Sequence, residues 1–79
     1  MITVEVRLGA ALREHLNIAD EGVLHIELAD RSTLPDLYRA LGLRPELVAF
    51  CTVNNRYPPE SYQLQDGDRL RIMAHAVGG

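Results

Sequence analysis

Apolar and polar residues alternate along the start of the chain. Over residues 2–8 this period of two predicts a strand with one buried face, and Gly9 ends it. Residues 10–16 can form about two helical turns, and residues 17–22 have the composition of a loop. Alternation resumes over residues 24–29, which predicts a second strand close enough in sequence to pair with the first as a wide hairpin.

A different period marks the main helix. Thr33 is a good N-cap, Asp36 can complete a capping box with it, and Pro35 falls in the first turn, where no intrahelical donor is lost. Gly42 stands where a left-handed C-terminal cap is expected. The apolar positions recur at helical spacing and predict one buried stripe that packs across a sheet; they are Leu34, Leu37, Tyr38 and Leu41.

The second half of the chain is predicted to supply the remaining strands. Residues 47–53 form a continuous apolar run, which favours a central strand covered on both faces. The pair 54–55 predicts a tight turn into a short return strand at 56–57. The sequence Asp-Gly-Asp at 66–68 predicts a turn before a last alternating strand at 69–73.

This order of elements predicts an α+β domain of two layers, with a mixed sheet of four to five strands and one main helix across one face. We expect the domain to span residues 1–74 and a flexible Gly-Gly tail to span residues 75–79. If the last strand lies beside the first, the tail leaves from the middle of the sheet and has a rigid root.

Composition narrows the possible functions. The chain has 79 residues, enough for one domain, and its single cysteine cannot form an intrachain disulfide. A net charge of −3 argues against a general nucleic-acid binder. The N-terminus lacks a signal-peptide pattern and no apolar run approaches the roughly 20 residues of a membrane span, so we expect a cytoplasmic protein without a membrane partner.

Several motifs together resemble the MoaD/ThiS family of ubiquitin-like β-grasp sulfur carriers, and the resemblance covers nearly the whole chain. The strongest are Leu-Gln-Asp-Gly-Asp-Arg-Leu at 64–70 and Gly-Gly at 78–79. The weaker ones are Val-Glu-Val-Arg-Leu at 4–8, Leu-Arg-Glu at 12–14, Thr-Leu-Pro-Asp-Leu at 33–37 and Val-Asn-Asn at 53–55.

The resemblance implies a carrier, not an enzyme. A ubiquitin-activating-type adenylyltransferase would use ATP and Mg²⁺ to convert the Gly79 carboxylate into an acyl-adenylate. A persulfide donor would then give a thiocarboxylate, and an acceptor synthase would receive the sulfur. That acceptor would be the large subunit of molybdopterin synthase or thiazole synthase. The chain itself is expected to bind no cofactor and no metal.

The residues expected to act lie on the last strand, on the tail and at one outer position. Gly79 is the acyl site, and Gly78 has no side chain, so the tail can pass through a narrow cleft. The remaining candidates for contact with the activating partner are Val77, Ala76, His75, Met73, Arg71 and Phe50. Arg71 and its neighbour Arg69 could equally be a solvated strand face.

The pathway is open at this point. The segment 9–22, with its possible short helix, favours the molybdopterin-synthase small subunit, whereas residues 72–77 are closer to the thiamine-pathway carriers. Another dedicated sulfur pathway is a further alternative. A ubiquitin-like modifier conjugated to target lysines through Gly79 would use the same activation chemistry, and a plain β-grasp interaction domain would use none.

Other polar and sulfur-containing residues are expected to be structural. Cys51 lies within an apolar run and is predicted to be buried and unreactive. His15 and His25 are predicted to face solvent, and the histidines are too dispersed for a metal site. Asp66 and Asp68 are explained by the turn that they flank.

Overall fold

Four strands form one mixed sheet in the computed structural model, which describes residues 1–18 and 23–74. The strands are β1 (Ile2–Leu8), β2 (Leu24–Leu28), β3 (Val48–Val53) and β4 (Arg69–Ala74), and the helices are α1 (Ala10–His15) and α2 (Leu34–Leu41). A 3-10 turn, Pro45–Leu47, precedes β3. The strand order is β2-β1-β4-β3, with β1 parallel to β4 and the other pairs antiparallel. The predicted α+β class and the predicted hairpin of β1 with β2 are confirmed.

The core lies between the inner face of the sheet and the two helices. Val4 and Val6 of β1 and Ile72 of β4 are fully buried. Leu37 of α2 is also fully buried, and Leu12 of α1 joins the same cluster. The predicted stripe of α2 is confirmed, because its other apolar members, Leu34, Tyr38 and Leu41, pack against this cluster.

Both ends of α2 are capped as the sequence predicts. The Thr33 backbone N–H and the Thr33 hydroxyl both donate to Oδ2 of Asp36, at 2.8 Å and 3.0 Å, and the predicted capping box is present. These hydrogen bonds from Thr33 hold the pKa of the Asp36 carboxyl below its usual value. Gly42 ends the helix with a φ of 71°, a left-handed conformation that glycine adopts without a steric cost.

The prediction that β3 is a central strand covered on both faces is wrong. β3 is an edge strand of the sheet that the described residues form, and only its Cys51 and Val53 side chains are buried. Phe50 is 40% exposed on the opposite face. An apolar run does not distinguish a central strand from an edge strand, because an edge strand can also direct an apolar side chain away from the core. Here Phe50 points outward and packs against Tyr57, with 6.2 Å between the ring centroids.

The turns that connect β3 to β4 follow their predicted chemistry. Asn54 and Asn55 have φ angles of 52° and 67°, and Gly67 has a φ of 86°. The predicted return strand at 56–57 is only a single bridge between Val53 and Arg56. The sheet of the described residues therefore has four strands, which is the lower end of the predicted range.

Asp68 joins three points of the connection between β3 and β4 at the start of β4. Its carboxylate accepts hydrogen bonds from Asn54 Nδ2 at 3.0 Å, the Tyr62 hydroxyl at 2.7 Å and the Gln65 backbone N–H at 2.8 Å. The residue is only 6% exposed, so these donors satisfy a largely buried charge. The hydrogen bond to Asp68 also raises the pKa of Tyr62 to about 12. This network fixes the point at which the chain enters its central strand.

Among the described residues, none of the helices has the length and apolar character that a membrane span requires.

We expect Asp68→Ala to lower the free energy of unfolding by about 2–4 kcal/mol, because three donors would lose a charged acceptor at once. Urea denaturation measures the change. The matched control is Asp66→Ala, since the exposed Asp66 carboxylate accepts a single backbone hydrogen bond, from Thr3 at 2.8 Å. The free energy of unfolding of Asp66→Ala should fall by less than about 1 kcal/mol. Equal losses in the two variants would contradict the role assigned to the Asp68 network.

Candidate functional site

The end of β4 is the root of the predicted reactive tail. β4 is hydrogen-bonded to β1 on one side as far as Ile72 and to β3 on the other as far as Ala74, so only its last two residues are held along one edge alone. The prediction that the last strand lies centrally beside the first is confirmed. The predicted acyl site Gly79 and the predicted contact residues Gly78, Val77, Ala76 and His75 lie outside the described residues. Their roles stay predictions.

An apolar patch lies on the outer face of the sheet beside this root. Met73 and Phe50 are register partners across β4 and β3, and Tyr57 meets the ring of Phe50 edge-on. The side chain of Met73 lies over Gly9, where a Cβ would come within 3.0 Å of its sulfur. We call Phe50, Tyr57 and Met73 the apolar patch. Phe50 and Tyr57 are exposed and Met73 is partly buried, and exposed apolar side chains often mark an interaction site.

Arginines border the apolar patch on the same face. Arg71 is exposed and is the register partner of Thr52 in β3 and of Arg7 in β1. The structure thus brings together all three described candidates of the sequence analysis, Phe50, Arg71 and Met73. That a partner binds them remains a prediction.

Three residues of this surface had no signal of their own in the sequence analysis. The sequence predicts only that Gly9 ends a strand, and it predicts no role in partner binding for Arg7 or Tyr57. The outward position of Arg7 in an alternating strand could have indicated it, once that strand was placed beside the last one. The contact of Tyr57 with Phe50 depends on the turn between them and on the edge position of β3. The edge position cannot be predicted from the local sequence.

Cys51 is buried, as predicted, and has no feature of a reactive thiol. Burial raises the pKa of its thiol to about 11, and the nearby Tyr38 hydroxyl opposes this effect only in part. The pKa of the Tyr38 hydroxyl is raised in turn, chiefly by burial. A thiol is nucleophilic only as the thiolate, so this one is protected at neutral pH.

The histidines are solvent-facing where the structure describes them. His15 and His25 are both exposed, which confirms their predicted positions. His25 Nε2 lies 3.6 Å from Oε1 of Glu5 on the neighbouring strand. In residues 1–18 and 23–74 there is no group of three or more histidine, cysteine or acidic side chains arranged to hold a metal ion.

The sheet order and the packed helix define a ubiquitin-like β-grasp protein, as the sequence resemblance implies. The sequence profile of the ThiS family matches residues 6–79, and the chain belongs to this family. A comparison with curated proteins found no match.

Solved structures from archaea share the fold. A Pyrococcus furiosus protein provisionally named molybdopterin converting factor, subunit 1, is 22% identical with a TM-score of 0.75, over 94% of this chain and 98% of its own. The HVO 2177 protein of Haloferax volcanii is 23% identical with a TM-score of 0.74, over 99% and 87% of the two chains. SAMP1 of Haloferax volcanii is 17% identical with a TM-score of 0.69, over 98% and 99%. At these identities the likeness shows the fold.

The raised pKa of Cys51 gives a kinetic prediction. A pKa of about 11 in place of 9.0 leaves roughly a hundredth of the thiolate at neutral pH, so we expect alkylation by iodoacetamide to be at least about a hundredfold slower in the folded protein than in urea. Equal rates in folded and unfolded protein would contradict the assignment of Cys51 to the core.

Proposed function

We propose that this chain is a sulfur carrier that is activated at its C-terminal carboxylate and donates sulfur in cofactor biosynthesis. The observation that carries the proposal is the ThiS family match, which runs from β1 through the Gly-Gly at 78–79. The position of β4 supports it, because the strand that leads to the tail is held on both sides. The reacting residue in this proposal is Gly79, and the chain acts as a substrate of its partners.

The chemistry needs one adenylyl transfer, one acyl transfer and a reduction. A free carboxylate has no adequate leaving group of its own, so it is first activated: the Gly79 carboxylate attacks the α-phosphorus of ATP, and pyrophosphate leaves. A persulfide sulfur then attacks the acyl carbon and AMP leaves, giving an acyl disulfide. A thiol attacks the S–S bond at the donor's sulfur, which releases the thiocarboxylate and leaves a disulfide between the thiol and the donor. ATP, Mg²⁺ and the persulfide are brought by the partner proteins.

We assign the outer face around the tail's root to the activating adenylyltransferase. The apolar patch supplies contact area, and Arg71 borders it on the same face. Residues 75–77 would lie in the partner's channel, where the absence of side chains at Gly78 and Gly79 lets the backbone approach the channel walls. The partner would thus hold the domain by its sheet and receive the tail in its active site.

For the acceptor we favour the large subunit of molybdopterin synthase. The short helix α1 between β1 and β2 is the feature that favours it, and the likeness to the Pyrococcus furiosus protein named for molybdopterin conversion supports it. The alternative acceptor is thiazole synthase, which the ThiS family match supports. Both acceptors require the same thiocarboxylate.

The second candidate function is that of a ubiquitin-like modifier. The likeness of this chain to small archaeal modifier protein 1 favours that candidate specifically. All eight basic residues of this chain are arginine, so it offers no lysine side chain for linkage to another copy. A modifier of this sequence should therefore add one copy per target lysine and form no lysine-linked polymer. On a denaturing gel, such conjugates would survive thiol reductants, whereas a pure carrier would give none.

We expect the protein to gain one sulfur in place of one oxygen when it is incubated with ATP, Mg²⁺, its adenylyltransferase and a persulfide source. Intact-mass analysis followed by proteolysis should confine the change to the C-terminal peptide. Deletion of Gly79 should abolish the exchange and leave the circular dichroism spectrum and the free energy of unfolding unchanged, because Gly79 lies beyond the last described strand.

Cys51→Ser is the matched control for the site of the sulfur. It removes the chain's only thiol, so an exchange that persists in this variant cannot be a persulfide on cysteine. If active partners produce no exchange in the wild type, the carrier proposal is wrong. Sulfur that still appears after deletion of Gly79 would show that the acceptor atom lies elsewhere.

A further inference from the structure

On the outer face of the sheet, two successive pairs of residues across β1 and β4 differ in charge: one pair has opposite charges and the next has like charges. In the first, Glu5 of β1 and Arg69 of β4 are register partners, with 3.3 Å between Oε2 and Nε. In the next, Arg7 and Arg71 are register partners. The sequence thus places complementary charges in one row and like charges in the row nearer the tail.

We expect the like-charge row to destabilise the isolated fold. Arg7 and Arg71 are register partners on adjacent parallel strands, and two positive charges close together repel each other. Neither Arg7 nor Arg71 lies within 4.0 Å of any carboxylate in the parts of the chain that the structure describes, so no ion pair there offsets the repulsion. Because Glu5 shows that a carboxylate fits in this setting, the arrangement of Arg7 and Arg71 is not imposed by the backbone.

The positive charge extends beyond this row. Two adjoining depressions on the outer face are lined by four of the chain's eight basic residues, and Glu5 is the only acidic residue that lines them within residues 1–18 and 23–74. The arginine face consists of Arg7, Arg13, Arg69 and Arg71. The chain as a whole has a net charge of −3, so this face is a local reversal of the protein's charge. Such asymmetry steers and orients association.

We propose that the arginine face is a docking surface for an acidic protein surface, the one beside the adenylation site of the activating partner. The proposal rests on the proposed function and adds the chemistry of the partner. Carboxylates of that partner would pair with Arg7 and Arg71, while its apolar side chains cover Met73 and Phe50. Guanidinium groups suit such an interface because they bind carboxylates in a bidentate manner and are weakly hydrated.

A protein surface fits this face better than a nucleic acid. The arginines border the apolar patch at the register row of Met73 and Phe50, which a phosphate backbone would leave uncovered. The remainder of the molecule is acidic and would repel an extended polyanion. A folded partner with a limited acidic area meets both conditions.

The variant Arg7→Glu separates docking from stability. It would repeat the Glu5–Arg69 arrangement one row further along, so the urea midpoint should be equal to or above that of the wild type. Docking should weaken. In ATP–pyrophosphate exchange catalysed by the adenylyltransferase, we expect the KM for the carrier to rise at least about tenfold, with kcat changed less than about twofold. If Arg7 had only a structural role, Arg7→Glu would lower the urea midpoint and raise the KM in the same variant.

Arg44→Glu is the control, because it changes the net charge equally at an exposed position outside the arginine face. Its KM should stay within about twofold of the wild type. Raising the salt concentration should increase the KM of the wild type more than that of Arg7→Glu, since the variant has lost part of the screened attraction.

The possible results separate the two proposals. If the wild type supports ATP–pyrophosphate exchange and Arg7→Glu has an unchanged KM, the proposed docking surface is wrong but the proposed function stands. Equal rises in Arg7→Glu and Arg44→Glu would also overturn the docking surface, since net charge would then explain the effect. No exchange with the wild type would overturn the proposed function and this inference with it. Binding of a fluorescent poly(dT) strand at about 0.15 M salt, lost in Arg7→Glu, would assign the face to nucleic acid and overturn the protein partner.

Discussion

The parallel pairing of β1 with β4 is the interaction on which the rest of the structure depends. It joins the first and last strands of the described chain, Glu5 to Arg69 through Leu8 to Ile72. β2 and β3 pair on the outer sides of β1 and β4 and become the edges of the sheet, and α2 packs on its inner face. The pairing of β1 with β4 also places β4 between two hydrogen-bonded neighbours as far as Ile72. A tail that follows Ala74 therefore starts two residues beyond a strand that is held on both sides.

The same register produces both faces of the sheet. On the inside it stacks Val6 with Leu70 and Leu8 with Ile72 in the core. On the outside it aligns Arg7 with Arg71 and brings Met73 over Gly9. A slip of one residue would turn the buried side chains outward, so the packing of the core also fixes the outer face. The proposed docking surface is thus a consequence of core packing, and its exposed side chains can vary without loss of the fold.

Local sequence patterns predict most of the fold. The alternation in β1, β2 and β4 and the capping residues of α2 suffice to place those elements, and the turn at 66–68 is explicit. The edge position of β3 was missed because an apolar run does not say which neighbours cover it. The Asp68 network and the Arg7–Arg71 row do not follow from local patterns, for two different reasons. The Asp68 network lies within the connection from β3 to β4, and only the folded loop brings Asn54, Tyr62 and Gln65 to one carboxylate. Arg7 and Arg71 are far apart in sequence, and the strand register brings them together.

Native-state hydrogen exchange of backbone amides tests the central claim most directly. The amides that bind β1 to the chain around β4, such as Glu5 N–H to Asp68 O and Gly9 N–H to Ile72 O, both at 2.9 Å, should exchange only when the whole domain unfolds. Their free energies of opening should equal the free energy of unfolding measured in urea, and the amides of β2 and β3 should open at lower cost. If the amides between β1 and β4 open at a lower free energy than those of the edge strands, the tail does not start from the most stable part of the sheet and the account is wrong.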